Sequence, residues 1–205
     1  AVQAVFLLRF IRRNGLSRQY GLCKTAVPAR RFLYYLPLAV LMTRNFWNGA
    51  AFNATLTETV CYIICMLCVG FVEEVIFRGL LFRAMAEDNR NTAVVISSLT
   101  FGLGHLLNLV NGSGASLAET LLQVAGAVAL GFLFVILFDR GGSLLPCILA
   151  HAVINITSIF ANETGLTLGK GMAMQLVLIA VAVAYALILT KTLPKNQHAK
   201  AHRQE

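Results

Sequence analysis

Charged residues are scarce in this chain and make up 13% of its 205 positions. Soluble globular domains carry about 25% charged residues, so the deficit argues against a soluble protein. Its 17 basic residues outnumber nine acidic ones, but they gather towards the two ends, which is typical of membrane-flanking segments and not of a nucleic-acid-binding surface. Hydrophobic residues account for 58% of the chain, and the mean hydropathy is +0.72. The composition predicts an all-α, polytopic bundle of transmembrane helices.

The chain also lacks the cysteine pattern of a disulfide-stapled or zinc-binding protein. Its five cysteines fall mostly inside apolar segments, and Cys61, Cys65 and Cys68 lie at helical spacing on one face. Because no histidine accompanies these three, we interpret them as small core residues and not as metal ligands. A signal peptide of ordinary form is absent too, and the apolar residues 1–8 are typical of the end of a truncated first helix.

Apolar runs divide the chain into about six predicted membrane segments. They cover residues 32–42, 59–82, 92–110, 117–138, 144–160 and 172–190. The last segment is apolar on all faces, so we predict that it faces lipid. Polar stretches separate the segments. They include the loop 45–57, the charged loop 83–91, and the turns 111–114 and 139–143. Thr92 is the predicted start of the helix after the charged loop.

These segments define one membrane domain between two basic regions. Residues 1–31 form a basic, partly amphipathic juxtamembrane segment, residues 32–190 the membrane domain, and residues 191–205 a basic tail. If both termini lie in the cytoplasm, only Arg44 and Lys170 fall in outer loops, and the other lysines and arginines outside the membrane lie on the inner side. This distribution obeys the positive-inside rule, so we predict that both termini are cytoplasmic.

The second membrane segment contains two adjacent carboxylates and a cation, at Glu73, Glu74 and Arg78. Ionisable groups inside a bilayer are costly, so their presence is a functional hypothesis. Glu74 and Arg78 are four residues apart in the better orientation for an ion pair within one helix. Glu73 points about 100° away around the helix. We therefore predict a structural Glu74–Arg78 pair that leaves Glu73 free for chemistry, and the alternative is a polar cluster that only locks helix packing.

Two further polar groups lie on two other predicted helices. His105 follows Phe101 by one turn, and the nearby glycines would allow close approach of a helix or a substrate. His151 and Asn155 are four residues apart and share one helix face. At about 1.5 Å of rise per residue, Glu73 and His151 lie roughly 12–13 Å from the inner surface, and His105 and Asn155 roughly 18–20 Å. The depths are compatible with a single pocket in the inner half to middle of the bilayer.

Such a set of groups has several possible uses. A buried carboxylate can act as a general base towards water, and an asparagine amide can donate to an oxyanion. Two imidazoles can share protons or position water, and Glu73, His105 and His151 together are also a ligand set for zinc. A transporter or proton relay would use similar buried groups, although the sequence contains no internal repeat. A non-catalytic scaffold or immunity protein is the third hypothesis.

The ordered motifs Glu73-Glu74-x-x-x-Arg78, Phe101-x-x-x-His105 and His151-x-x-x-Asn155 resemble those of a known protease family. This is the CPBP family of CAAX-processing and bacteriocin-processing intramembrane proteases, also called the Abi family, which is related to the Rce1-type CAAX proteases. The three motifs span residues 73–155, and the hydrophobic segments that also fit the family span residues 32–190. Three motifs in the right order make it specific.

The resemblance implies an intramembrane endopeptidase in which Glu73 and His105 activate the attacking water and His151 and Asn155 stabilise the oxyanion. It implies that Glu74, Arg78 and Phe101 orient the site. Family members are commonly called metalloproteases, which makes zinc held by Glu73, His105 and His151 one option, and a metal-free glutamate mechanism is the other. The implied partners are the lipid bilayer and a membrane-associated protein or peptide substrate, prenylated or not. The implied location is a bacterial cell membrane, and the implied roles are CAAX-like processing, peptide maturation or bacteriocin self-immunity.

Overall fold

The computed structural model describes residues 1–28, 32–111 and 116–193, and its named elements over these ranges are all helical. The α-helices are α1 (Val2–Arg13), α2 (Phe32–Met42), α3 (Leu56–Glu74), α4 (Arg83–Ala86), α5 (Arg90–Leu103), α6 (Leu117–Gly141), α7 (Leu145–Thr157) and α8 (Leu168–Thr192). A π-helical segment, Val75–Phe82, joins α3 to α4, and 3₁₀ turns cover Arg44–Phe46, Gly104–Leu109 and Ser158–Phe160. The predicted all-helical bundle is confirmed.

Helix α6 forms the centre of the bundle, with α5 and α8 packed against it. From Leu133 to Phe138 every residue of α6 is buried, which an amphipathic surface helix would not allow. Small residues let α5 approach closely: a Cβ on Gly102 would lie 2.9 Å from the backbone nitrogen of Val128, and one on Gly131 would lie 3.1 Å from the Ser98 carbonyl oxygen. The predicted close approach is confirmed at Gly102, whereas a Cβ on Gly104 would meet nothing within 4 Å.

Helices α3 and α7 form a second close pair at the edge of the bundle. Their crossing point is Gly70, where a Cβ would lie 3.0 Å from the backbone nitrogen of Ala152 and 3.2 Å from its Cα. Gly70 precedes Glu73 by one turn, and Ala152 follows His151. The crossing therefore sets the distance between the polar groups of the two helices.

Three of the described helical stretches are long and apolar enough to cross a membrane. They are Leu56–Ala86, Leu117–Gly141 and Leu168–Thr192, and Leu145–Phe160 is a shorter apolar helix. Helices α2 and α5 have 11 and 14 residues, below the roughly 20 that span a hydrocarbon core. All six predicted segments are helical where the structure describes them, but only three have the length of a full span.

The boundaries of the glutamate-bearing stretch differ from the prediction at both ends. Helix α3 begins at Leu56, three residues earlier than predicted, because Thr55 and Glu58 form a capping box. In it, the Glu58 carboxylate accepts a hydrogen bond from the Thr55 backbone nitrogen. Residues 83–86 continue as helix and α5 begins at Arg90, so the predicted charged loop 83–91 is reduced to residues 87–89. Asn89 caps α5 by accepting from the Thr92 backbone nitrogen, and Thr92 is not the cap itself.

Two predictions about the second half of the chain are also corrected. Helix α6 continues to Gly141 and ends at Gly142, whose φ of 68° is left-handed, so the predicted turn 139–143 shrinks to its last residues. Helix α8 does not face lipid on all sides, because Leu178, Tyr185 and Leu189 are buried against the bundle. The predicted turn 111–114 lies largely outside the described residues, as does the tail beyond Leu193.

The N-terminal segment contributes to the bundle more than a surface anchor would. Helix α1 packs against α3, and its residue Ile11 is fully buried, while Arg12 and Arg13 are exposed in its last turn. The three cysteines interpreted as core residues are not in the core: Cys61 and Cys65 are exposed and Cys68 is half-buried. Their shared face is outside the bundle because Gly70 and Glu74 turn the opposite side of α3 inwards.

Candidate active site

The predicted Glu74–Arg78 ion pair is present and fully buried. The Arg78 Nη1 donates to Glu74 Oε1 at 2.9 Å, and neither side chain has any exposed surface. Arg78 Nη2 also lies 3.4 Å from the carbonyl oxygen of Gly131 on α6. A buried charge is costly without its partner, so the two residues hold each other in place and fix α3 against α6.

The π-helical segment presents Arg78 to the interior. Its wider turn begins directly after Glu74. Such segments are rare in proteins overall, but where they occur they are often at functional sites. Ser97 on α5 donates its hydroxyl to the carbonyl oxygen of Phe77 at 2.8 Å, which satisfies a backbone acceptor within the irregular turn. The sequence predicted an ordinary helix here, because π and α segments carry the same apolar composition.

Two aromatic rings enclose the Arg78 guanidinium. Its Cζ lies 4.1 Å from the ring centroid of Phe101 and 5.6 Å from that of Phe134. Phe101 also presents its ring to both histidines, with centroid distances of 6.0 Å to His105 and 5.5 Å to His151. Phe134 is buried and lies 6.2 Å from the His151 ring. Phe134 was not predicted as a site residue, and its one available signal in the sequence is its position one turn after Gly131.

His151 connects the two glutamates. Its Nδ1 is 2.9 Å from Glu74 Oε1, and its Nε2 is 3.7 Å from Glu73 Oε2. Because Glu74 is already paired with Arg78, an Nδ1–H that donates to it fixes the orientation of the imidazole ring. The other nitrogen is then directed at Glu73. His151 was predicted to lie in the site, but its contact with Glu74 was not predicted.

Glu73 and Glu74 have opposite environments although they are neighbours in the chain. The Glu73 side chain keeps 37% of its surface exposed, whereas that of Glu74 is completely buried. Glu73 also lines a cavity of about 270 Å³ between α1 and α3. The carboxylate that can meet water and substrate is therefore Glu73, and the one that cannot is Glu74.

His105 and Asn155 lie at the margins of this cluster. His105 was predicted well inside a helix, but α5 ends at Leu103 and His105 belongs to the following 3₁₀ turn. Its half-buried ring reaches the cluster through the edge of Phe101. Asn155 is half-buried one turn after His151, and its amide has no hydrogen-bond partner among the described residues. The structure thus brings Glu73, Glu74, Arg78 and His151 into direct contact, while His105 and Asn155 flank them.

The donor groups do not form a three-ligand metal set in this arrangement. Within residues 1–28, 32–111 and 116–193, no three His, Cys, Asp or Glu side chains are grouped so that they could hold a metal ion. His151 directs one nitrogen to Glu74 and the other to Glu73, and the Phe101 ring contacts both imidazoles. In this geometry Glu73, His105 and His151 do not form the three-ligand set that the resemblance implies for zinc.

Comparison with known proteins identifies the family. Residues 53–157 match the family model described as type II CAAX prenyl endopeptidase Rce1-like, and this range contains all three motifs. No curated protein and no solved structure matches the chain. The family is one of membrane-embedded proteases, which agrees with the apolar helices. The chain is an integral membrane protein and belongs to the Rce1-like family of type II CAAX prenyl endopeptidases.

Proposed function

We propose that this protein is an intramembrane endopeptidase that hydrolyses a peptide bond with water activated by Glu73 and His105. The observation that supports this most directly is the partly exposed Glu73 carboxylate, held opposite His151 at the mouth of a cavity. A general base needs access to water and a fixed direction, and Glu73 has both. The buried Glu74–Arg78 pair supplies the fixed direction through His151.

In the proposed reaction, Glu73 removes a proton from water as the water oxygen attacks the carbonyl carbon of the peptide. The carbonyl π bond breaks, and its electron pair forms an oxyanion. Asn155 donates its amide N–H to this oxyanion, and His151 donates its Nε2–H, which requires both imidazole nitrogens to carry a proton because Nδ1–H already donates to Glu74. Glu73 then returns the proton to the amide nitrogen, the oxyanion re-forms the carbonyl as the C–N bond breaks, and the products are a carboxylic acid and an amine, between which the acid proton is transferred to give a carboxylate and an ammonium group. His105 orients the water from the side of Phe101.

The remaining residues act on these groups and not on the substrate. Glu74 fixes the imidazole of His151, Arg78 compensates the charge of Glu74, and Phe101 fills the space between Arg78 and both histidines. A ring packed against this many polar groups excludes water from them, which strengthens their electrostatic interactions. They are positioning residues.

The substrates covered by this proposal are membrane-associated proteins or peptides, with or without a prenyl group. The biological settings are CAAX-like processing, maturation of secreted peptides, or bacteriocin self-immunity in a bacterial cell membrane. The family supports protease activity in general. Identification of the substrate would distinguish between these biological settings.

The test compares new peptide termini in membranes that contain the wild-type protein or the Glu73→Gln variant at equal abundance. Termini that appear only with the wild type are the expected result, because glutamine keeps the shape of the side chain but cannot accept the proton. A folded Glu73→Gln variant that produces the same termini would refute the proposed role of Glu73. The two alternatives give different results: a proton relay would alter ion flux without peptide products, and a scaffold would tolerate the substitution.

A further inference from the structure

A second cavity of about 270 Å³ lies at the end of the bundle where α5 begins and α6 and α8 end. This end is the surface predicted to be cytoplasmic. Five polar residues line the cavity: Arg90, Asn91, Asp139, Arg140 and Thr190. Its apolar wall consists of Val94, Val95 and Ile136. We call this cavity the arginine pocket, and none of its residues takes part in the proposed reaction.

One buried carboxylate holds the two arginines of the pocket side by side. Arg90 donates its Nε–H to Asp139 Oδ1 at 2.6 Å, and Arg140 Nε lies 3.6 Å from Asp139 Oδ2. The Asp139 side chain is only 3% exposed. Two positive charges and one negative charge therefore line the pocket, which leaves an excess of one positive charge. The two guanidinium groups are neighbours, so one tetrahedral anion can contact both.

The charges around the pocket do not remove this excess. Arg83 interacts electrostatically with Arg90 and Asp139, and also with Glu87, which carries the opposite charge. Arg83 and Glu87 together add one charge of each sign. The region around the pocket therefore keeps a net positive charge and attracts an anion.

Arg140 has donor capacity that the described residues do not use. Its Nη1 donates to the Leu193 carbonyl oxygen at 2.6 Å, while its Nε is buried and has no hydrogen-bond partner among the described residues. The 3.6 Å contact of this Nε with Asp139 is too long for a hydrogen bond. Only 9% of the Arg140 side chain is exposed, so its charge is mostly shielded from water. An anion in the pocket would supply both an acceptor and a counter-charge to this guanidinium.

The apolar wall of the pocket continues into the surface that faces lipid. Val95 is exposed on α5, and Leu187 and Ile188 are exposed near the end of α8. The volume is slightly below the range of about 300–1,000 Å³ for pockets that bind drug-sized molecules. The pocket can therefore hold a headgroup while the attached hydrocarbon chains stay in the bilayer. Free phosphate would leave the apolar wall unused.

We propose that the arginine pocket binds the phosphate of an anionic phospholipid, with Arg140 as hydrogen-bond donor, Arg90 as a second positive charge and Val95 against the hydrocarbon chains. Guanidinium groups match phosphate oxygens in charge and geometry, and basic pockets between membrane helices bind acidic headgroups. A zwitterionic headgroup fits less well, because its ammonium group adds a cation to a positive region. The bound lipid would join α5, α6 and α8. This inference does not depend on peptide hydrolysis.

The test measures thermal unfolding of the delipidated full-length protein in detergent. Dioleoyl phosphatidylglycerol, dioleoyl phosphatidylcholine or inorganic phosphate is added to separate samples. Arg140→Gln removes the donor, and Lys191→Gln is its control, because Lys191 is exposed in the last turn of α8 and does not line the pocket. Val95→Trp fills the apolar side, and Leu99→Trp is its control, because Leu99 is exposed one turn later on α5 and does not line the pocket.

Phosphatidylglycerol is expected to raise the unfolding temperature of the wild type by about 5 °C or more at roughly 100 times its Kd. Phosphatidylcholine and inorganic phosphate are expected to have little effect. Loss of a hydrogen bond to a charged group in Arg140→Gln should weaken binding at least about tenfold, which roughly halves the shift. Val95→Trp should reduce the shift at least as much. Both control variants should keep the shift of the wild type.

Three outcomes would overturn the inference. If phosphatidylcholine and phosphatidylglycerol raise the unfolding temperature equally, lipids act as solvent for the whole bundle and not at a site. If inorganic phosphate alone produces the full shift, the pocket binds a free anion and not a lipid. If Lys191→Gln loses as much of the shift as Arg140→Gln, the effect comes from the general surface charge. Should Arg140→Gln fail to fold, equal shifts in Val95→Trp and Leu99→Trp would refute the site by themselves.

Discussion

At the scale of single residues, one oxygen atom connects structure with chemistry. Glu74 Oε1 is 2.9 Å from both Arg78 Nη1 and His151 Nδ1. A single carboxylate oxygen therefore stabilises the bundle on one side and orients a site imidazole on the other. The neighbouring Glu73 does not share this role, because its side chain lines the cavity between α1 and α3.

Replacing Arg78 with alanine is expected to destabilise the protein by about 3–5 kcal/mol, because the buried carboxylate of Glu74 would be left uncompensated. Thermal unfolding in detergent measures the effect, and activity should fall with it. Arg18→Ala is the control, since Arg18 is exposed. If Arg78→Ala unfolds at the same temperature as Arg18→Ala, the buried pair does not stabilise the bundle.

Replacing Asn155 with alanine should lower kcat by about 10²–10³-fold if its amide stabilises the oxyanion. The unfolding temperature should stay the same, because the amide makes no hydrogen bond to another described residue. Single-turnover kinetics and thermal unfolding of the same preparation separate the two quantities. Normal turnover would exclude Asn155 from the reaction.

The geometry of the donor groups leads us to propose that no zinc ion is obligatory. Incubation with 1,10-phenanthroline followed by its removal is expected to leave peptide cleavage unchanged, and metal analysis of active protein should find less than one equivalent of zinc. A loss of activity that zinc restores would instead indicate that Glu73, His105 and His151 move together to bind the ion.

At the scale of elements, the site depends on one close crossing. Gly70 lets α3 meet α7 at Ala152, between the turns that carry Glu73 and His151. The contact partner is backbone, which cannot rotate away as a flexible side chain can. The 3.7 Å separation of Glu73 and His151 therefore follows from the absence of a side chain at Gly70.

Gly70→Ala is expected to separate α3 from α7 by several tenths of an ångström and to lower kcat by at least about tenfold, because catalytic groups tolerate little displacement. Gly169→Ala in the first turn of α8 is the matched control, since a Cβ there meets nothing within 4 Å. Cleavage kinetics of both variants provide the comparison. Equal activity of the two variants would contradict a positioning role for the crossing.

The sequence predicts helices and their polar groups better than their irregular turns. The spacing of Glu74 and Arg78 was sufficient to predict their pairing, because four residues bring two side chains together on one helix. The π-helical turn at Val75–Phe82 and the 3₁₀ turn at His105 were not predictable, since tertiary contacts such as Ser97 with Phe77 stabilise them. The contact between Glu74 and His151 depends on the crossing at Gly70 and has no local signal.

At the scale of the whole molecule, apolar helices of unequal length surround α6, and charged residues mark the membrane surfaces. Arg90 pairs with Asp139 where α5 begins and α6 ends, and Arg140 donates to the Leu193 carbonyl oxygen at the end of α8. On the opposite side, Asn45 and Asn53 bind carbonyl oxygens at and after the end of α7. The basic surface is the one we assign to the cytoplasm.

This orientation predicts that a cysteine introduced at Asn14 is protected from a membrane-impermeant maleimide in intact cells and labelled after lysis. A cysteine at Glu163, which is exposed after α7, should be labelled in intact cells. Both variants carry alanine at Cys61 and Cys65 to remove background labelling. The reverse labelling pattern would show that the termini are on the outer side.

The capping box at Thr55 and the buried Arg78 also limit how this part of the chain can change during evolution. The capping box fixes the residue at which α3 begins. The ion pair with Glu74 fixes the position of the Arg78 guanidinium in the π-helical turn. An insertion or deletion of one residue between Thr55 and Glu73 would rotate the carboxylates relative to α7 by about 100°, so that one carboxylate would take the place of the other. Homologues should therefore have no insertions or deletions within residues 55–78, even where single residues in this range are substituted. Differences in length should be confined to the surface loops.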